Sequence, residues 1–271
     1  MKTVAIAGVG LIGASFGLAL RKAGFSGQIL GVSSAPAIEA GLEAGAISHA
    51  ATLQEAADLA DLIYLAQPVD RILETLARLG PVARKETLIT DAGSTKAAIV
   101  QAAAHLQFAP FVGGHPMAGK ETRGAQSADA DLFRNRPYVL TPRSHPVPPE
   151  FREMLEAIGA KVLEMTPEEH DATVAMTSHL PQLLSTALAA LLAKEGGSAV
   201  RQVFGSGLLD MTRLALSPAD LWASILKSNK VNVIAGLDSY AELLAELRLA
   251  VERDDLQSIF EVAGRFAASL R

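Results

Sequence analysis

The chain has 271 residues, 24 Lys plus Arg against 29 Asp plus Glu, a net charge of −5 and no cysteine. That length suits one large domain or two moderate ones, with ample core for stability without staples. The missing cysteines exclude disulfides, thiolate nucleophiles and Cys-ligated metals, and the mild acidity argues against nucleic acid or an anionic membrane as partner. An apolar strand, Val4 to Ala7, leads into Gly8-Val9-Gly10-Leu11-Ile12-Gly13 and then a helical pattern from Ala14 to Ala23, closed by Gly24. A strand, this glycine spacing and a helix in that order read as a dinucleotide site. The first glycine permits the turn, the second lets backbone approach a pyrophosphate, and the third lets the helix pack on the sheet. The helix N-terminus adds N–H groups and a positive dipole end. Gly8, Gly10, Leu11, Ile12 and Gly13 are therefore the expected cofactor contacts.

Strand and helix patterns then alternate. Gln28 to Val32 reads as a strand, Pro36 to Ala44 as a helix, Asp61 to Ala66 as a buried strand and Val69 to Leu79 as a helix. Thr87 to Thr90, Thr95 to Ala104 and Phe111 to Gly113 continue as strand, helix and strand. Such alternation implies a parallel sheet with helices on both faces. The prolines 142, 146, 148 and 149 read as a surface loop, because a helix (Glu150 to Ile158) and a strand (Lys161 to Met165) follow. At Thr166-Pro167-Glu168-Glu169 the pattern changes. Thr166 suits an N-cap, Pro167 the first helical position, and the glutamates complement the helix dipole. Beyond it only helical periodicity remains, with a second cap signal at Ser217-Pro218-Ala219-Asp220. The expected domains are an α/β unit over 1–165 and an all-α unit over 166–271, the latter forming a dimer interface and one wall of the site. The longest apolar run, Ala187 to Ala193, is far short of the about 20 residues that a membrane span needs. Together with an N-terminus that lacks a leader pattern, this leads us to expect a cytoplasmic protein.

Three clusters could carry chemistry. Asp91-Ala92-Gly93-Ser94-Thr95-Lys96 follows a buried strand, where open α/β sheets bind ligands; Ser94 reads as an N-cap, as a site residue or as both. Gly113-Gly114-His115-Pro116-Met117-Ala118-Gly119-Lys120 places His115 after the last parallel strand as a rigid, accessible base. Ser178-His179-Leu180-Pro181-Gln182 lies inside a long helix that Pro181 should kink against the Thr177 carbonyl, which reads either as a pocket wall beside His179 or as a plain structural kink. Beyond a glycine-rich break, Arg213 in Asp210-Met211-Thr212-Arg213 offers a two-pronged carboxylate fork, although taken alone it reads as a surface residue or salt-bridge partner. His49, His105, His145 and His170 have no comparable context and read as surface or packing residues. No metal-ligand spacing and no Gly-x-Ser-x-Gly elbow occur, so no metal is expected.

Taken together, the nucleotide motif, Asp91 to Lys96, Gly114 to Gly119, Ser178 to Pro181 and Asp210 to Arg213 resemble the prephenate/arogenate dehydrogenase family, over nearly the whole chain. The resemblance implies a Rossmann-like N-terminal domain, an all-helical dimerisation domain and a homodimer. It also implies oxidative decarboxylation of an anionic cyclohexadienyl substrate. His115 would accept the ring-hydroxyl proton or a strong hydrogen bond from it, and Ser94 would orient both His115 and the hydroxyl. Arg213 would hold the ring carboxylate, and His179 would line the pocket. Lys120, Lys227 and Lys230 are weaker candidates for balancing the substrate's charge. Gln182 and Glu121 are possible contacts to the substrate side chain, which distinguishes prephenate from arogenate. The second strand ends in Gly31-Val32-Ser33-Ser34-Ala35, without the acid that binds ribose hydroxyls in NAD sites. Ser33 and Ser34 could hydrogen-bond a 2′-phosphate, so NADP is favoured, with NAD or dual use open. A hydroxyacid dehydrogenase would need a lysine on the first C-terminal helix, which has none before Lys194. A nucleotide-sensing module without turnover would leave His115, Ser94 and Arg213 without a purpose.

Overall fold

A computed structural model describes residues 1–106, 109–120, 122–142 and 145–271. In chain order the elements are β1 (Thr3–Ala7), α1 (Leu11–Lys22), β2 (Gln28–Val32), α2 (Ala35–Glu43), β3 (His49–Ala50), α3 (Leu53–Leu59), β4 (Leu62–Leu65) and α4 (Val69–Leu79). They continue with β5 (Leu88–Asp91), α5 (Ala97–Ala103), β6 (Phe111–Pro116), β7 (Pro137–Thr141), α6 (Pro149–Ala157), β8 (Lys161–Glu164) and α7 (Pro167–Val174). Then come a π turn (Ala175–His179), α8 (Leu180–Glu195), α9 (Ser206–Thr212), α10 (Ala219–Ser228), α11 (Lys230–Glu252) and α12 (Gln257–Ser269).

Among the described residues the strands form one eight-stranded sheet ordered β3-β2-β1-β4-β5-β6-β7-β8. The first six are parallel in the doubly wound order, so the chain reverses direction across the sheet between β1 and β4. The strands are apolar on both faces because helices cover both. Val4 and Ile6 of β1 pack in a core with Phe16 and Leu20 of α1 and Phe151 and Leu155 of α6. Ala5 and Ala7 point the other way, into a core with Leu53 of α3, Ile72 and Leu76 of α4 and Ile99 of α5. The first face also stacks the Phe16 and Tyr64 rings at 4.0 Å.

β3, α3 and β7 are additional to the expected elements, and β6 extends beyond its expected end at Gly113. β6 runs on to Pro116 because β7 supplies a new, antiparallel partner: Gly114 faces Leu140 and His115 faces Val139. Gly113 and Gly114 are required by close approach. A Cβ on them would lie 2.3 Å from Thr141 Oγ1 and 2.6 Å from the Asp91 carbonyl oxygen respectively.

The chain packs as two compact units, 1–174 with 215–229, and 175–214 with 230–271. Helices α7 and α10, beyond residue 165, thus belong to the first unit. Thr166 and Glu169 make a reciprocal capping box at the start of α7: the Glu169 N–H donates to Thr166 Oγ1 at 3.1 Å, and the Thr166 N–H donates to the Glu169 carboxylate at 2.9 Å. The expected Ser217 cap is absent. Pro218 holds the cap position of α10, and Ser217 Oγ accepts from Trp222 Nε1 at 3.0 Å instead. In the second unit the expected Pro181 kink takes the form of the π turn. Pro181 falls in the first turn of α8, where its missing N–H costs little. Helix α11 passes close to that turn at Gly236, where a Cβ would sit 3.2 Å from the Met176 sulfur.

Candidate active site

The crevice after β1 fits a dinucleotide on its own geometry. Gly8 has φ +96°, and a Cβ there would meet the Ala66 carbonyl oxygen at 2.5 Å. At Gly13 a Cβ would fall 2.1 Å from the Gly8 carbonyl oxygen, so the helix can approach the turn only without a side chain. Gly10 differs. Its φ is −95°, and a Cβ would meet nothing within 4 Å. The protein itself does not require that glycine, whereas an approaching pyrophosphate would. Gly10 is the N-cap of α1 and offers no capping side chain, and Leu11 and Ile12 form the first turn behind it. At the end of β2, Ser33 and Ser34 are exposed, and Ser34 N-caps α2 without a side-chain hydrogen bond. A groove of about 610 Å³ beside Ser33 is lined by Glu39, Glu43 and Glu55 among others.

Asp91 and Lys96 form a fully buried ion pair at the end of β5. Lys96 Nζ also donates to the Gly114 carbonyl at 2.6 Å, and Asp91 accepts from the backbone N–H groups of Gly93 at 2.8 Å and Gly114 at 3.1 Å. Burial pushes the Asp91 carboxyl above the usual carboxylate range and pulls the Lys96 ammonium below its usual value, each opposed by the partner's charge. The pair clamps β6 to β5 one residue before His115.

His115 lies within β6 and is only 9% exposed, which corrects its placement as an accessible base beyond the strand. Its Nδ1 is 2.8 Å from Nε2 of His170, a residue expected only at the surface or in packing. His170 is fully buried, and its Nδ1 is 2.8 Å from Asp171 Oδ1. The Asp171 carboxylate also accepts from the N–H groups of Lys96 at 2.6 Å and Ala97 at 2.9 Å, so it caps α5. That displaces the N-cap reading of Ser94. Ser94 is half-buried at the neighbouring strand end, and its hydroxyl bonds to no described residue. The Asp171 carbonyl in turn accepts from Asn229 Nδ2 at 2.7 Å, and Thr95 Oγ1 pairs with Ser228 Oγ at 2.8 Å. The legible signal for His170 was its place in the first turn of α7, directly after the capping box.

The second unit holds the remaining sequence candidates. His179 ends the π turn and is 1% exposed. Gln182 is buried, and its Nε2 donates to the Leu214 carbonyl at 2.8 Å. Arg213 is exposed at the end of α9, where a 3₁₀ turn begins. Lys120, in the first unit, is committed to Asp129 at 2.9 Å. Lys227 belongs to the first unit and Lys230 to the second. Glu121 lies outside the described residues. Among the described residues no group of three or more His, Asp or Glu could hold a metal, and no helix is long and apolar enough to cross a membrane.

Comparison with known proteins gives two consecutive family matches. Residues 16–164 match the model described as prephenate dehydrogenase, nucleotide-binding domain, and residues 166–264 match prephenate dehydrogenase, dimerization domain. The prephenate dehydrogenase of Lactococcus lactis subsp. cremoris is 36% identical over 96% of this chain and 74% of its own length. The crystal structure of Aquifex aeolicus prephenate dehydrogenase, in complex with hydroxyphenyl propionate and NAD+, superposes with a TM-score of 0.90 at 28% identity, covering 99% of this chain and 97% of that one. A Synechocystis arogenate dehydrogenase structure gives 0.84 at 30% identity, covering 98% of each chain.

Proposed function

The chain belongs to the prephenate dehydrogenase family, and from that premise we propose that it oxidises and decarboxylates prephenate to 4-hydroxyphenylpyruvate in tyrosine biosynthesis. The observation that carries the mechanism is a nearly buried histidine at a strand end, with one ring nitrogen held from behind. When bound, a nicotinamide dinucleotide supplies the redox chemistry; Gly8, Gly10 and Gly13, with Leu11 and Ile12 at the start of α1, would hold its pyrophosphate. His115 accepts the ring-hydroxyl proton as general base, and Ser94 orients that hydroxyl. Arg213 grips the ring carboxylate and His179 lines the pocket. Gln182 acts one step back, by tying down the carbonyl of Leu214 next to Arg213. Loss of carbon dioxide and aromatisation supply the driving force, so these residues mainly have to position the reacting groups.

NADP is our preferred cofactor, because no carboxylate closes β2 and the two serines that follow it are exposed and could hydrogen-bond a 2′-phosphate. NAD is the second reading, favoured by the three glutamates in the adjoining groove. Arogenate is the second substrate reading, favoured by the likeness to the Synechocystis enzyme. Incubating the protein with prephenate or arogenate, each with NAD+ or NADP+, and following reduced nicotinamide by absorbance tests all of this at once. Turnover is expected with at least one pair. Silence in all four from folded, cofactor-binding protein would refute the reading and favour a sensing module.

We further propose a cytoplasmic homodimer formed through the helical unit. Support for the dimer comes from the dimerization-domain match and from Val231, Phe260 and Phe266, which are 81, 67 and 66% exposed on α11 and α12. Sedimentation should give twice the chain mass; a monomer at micromolar concentration would overturn the assignment.

A further inference from the structure

We propose that His170 is a positioning residue: backed by Asp171, it holds resting His115 in the tautomer with the proton on Nδ1, so that Nε2 presents a lone pair for the reaction. The argument follows the direction of each hydrogen bond. A carboxylate only accepts, so the 2.8 Å contact between Asp171 Oδ1 and His170 Nδ1 puts the proton on that nitrogen. With one proton per ring, His170 Nε2 is an acceptor. The 2.8 Å contact to His115 Nδ1 must then be donated by His115. The rings meet edge to face, with centroids 5.0 Å apart and planes 70° apart, a geometry that aims one ring nitrogen at the other.

The far end of this relay cannot turn away. The Asp171 carboxylate is fixed by the Lys96 and Ala97 N–H groups, and its backbone carbonyl by Asn229 Nδ2. The near end is fixed by β6, whose preceding residue, Gly114, is bound through both its N–H and its carbonyl to the Asp91–Lys96 pair. A lone imidazole in solution exchanges between tautomers, and only one of them can accept a proton at a given nitrogen. The relay removes that ambiguity before substrate arrives, as a hydrogen-bonded neighbour does for a metal-bound or catalytic imidazole.

This inference rests on His115 being the proton acceptor, and its test is separable from that reading. Long-range proton–nitrogen NMR of ¹⁵N-histidine-labelled, substrate-free protein reads the tautomer without turnover. Wild type should show His115 protonated on Nδ1 and bare on Nε2. His170→Leu should give a mixture of tautomers, and kcat should fall about 10- to 100-fold with KM within about twofold. His170→Gln, whose amide oxygen can still accept from His115, should recover the single tautomer and most of kcat. A wild-type spectrum with the proton on Nε2 would overturn the proposal, and that measurement needs no variant to fold. An unchanged tautomer in His170→Leu would overturn it as well. The expected tautomer in a protein inactive with all four substrate and cofactor pairs would sink the functional reading and leave the relay standing.

Discussion

Replacing Lys96 with Met isolates the electrostatics under the catalytic strand. The ammonium is fully buried, and its removal leaves the Asp91 carboxylate with two backbone donors and the Gly114 carbonyl without its lysine donor. Breaking a buried pair by removing one partner costs about 3–5 kcal/mol, set against about 5–15 kcal/mol of total stability. For a chain of this size the loss lowers the melting temperature by about 6–20 °C. The sign with pH follows from Asp91. Burial already raises its carboxyl above 3.8, and losing the lysine raises it further, so the folded variant holds that proton more tightly than the unfolded chain does. The charge part of the penalty is absent below 3.8 and grows as pH rises through the folded value, while the unmet Gly114 carbonyl costs the same at either pH. Urea unfolding followed by circular dichroism at pH 7 and near pH 4 should therefore show a larger deficit at the higher pH. The double variant Asp91→Asn/Lys96→Met, with no buried charge left, should be more stable than Lys96→Met alone. A deficit below about 1 kcal/mol, or one that does not change with pH, would refute the reasoning.

Ser33→Asp should shift the ratio of kcat/KM values at least about tenfold from NADP toward NAD, because a carboxylate at the end of β2 repels a 2′-phosphate and binds ribose hydroxyls; steady-state kinetics with both cofactors checks it. Thr166→Ala removes the cap of the helix that carries His170 and Asp171, and should cost about 1 kcal/mol in urea unfolding, with Thr166→Ser nearly silent. Asp61 is held below its usual value, above all by the Lys2 N–H at 2.5 Å, with help from the Thr3 N–H, the N-terminal charge and Arg84. Asp61→Ala should cost about 1 kcal/mol at neutral pH. The wild type's advantage should persist down to about 3.8 and vanish as pH falls through the lower, folded value, which paired melts along a pH series would register.

The parts of the fold that repeat a local pattern were legible. The second strand and the helix from Val69 to Leu79 fall where alternation and periodicity put them, because each is apolar on the faces its neighbours cover. β7 carries a local signal too, since Tyr138, Val139 and Thr141 are strand formers; what its own residues do not record is the antiparallel pairing with β6 and the parallel pairing with β8. The first of these pairings explains the misplaced end of β6. Gly-Gly-His-Pro has weak strand propensity, and tertiary pairing overrides it. His115 was legible as a residue but not in its setting. Its partner His170 lies 55 positions later, and no local spacing records that contact. Ser94 shows the converse: the motif was visible, but the cap it seemed to provide comes from Asp171, 74 positions beyond Ala97.

The first packing unit is interrupted in the chain. Residues 175–214 leave it before 215–229 return to complete it. During synthesis, the nucleotide-binding turn and the whole sheet emerge well before Ser228 and Asn229, which tie down Thr95 and Asp171. A nascent chain stopped after α7 would therefore have its glycine turn and both faces of its sheet. The carbonyl that anchors the histidine relay would still lack its partner. The order in which the ribosome delivers the chain separates the framework for holding a nucleotide from the final locking of the base. The packing of this unit is complete only with a segment that the intervening residues 175–214 separate from the rest of it.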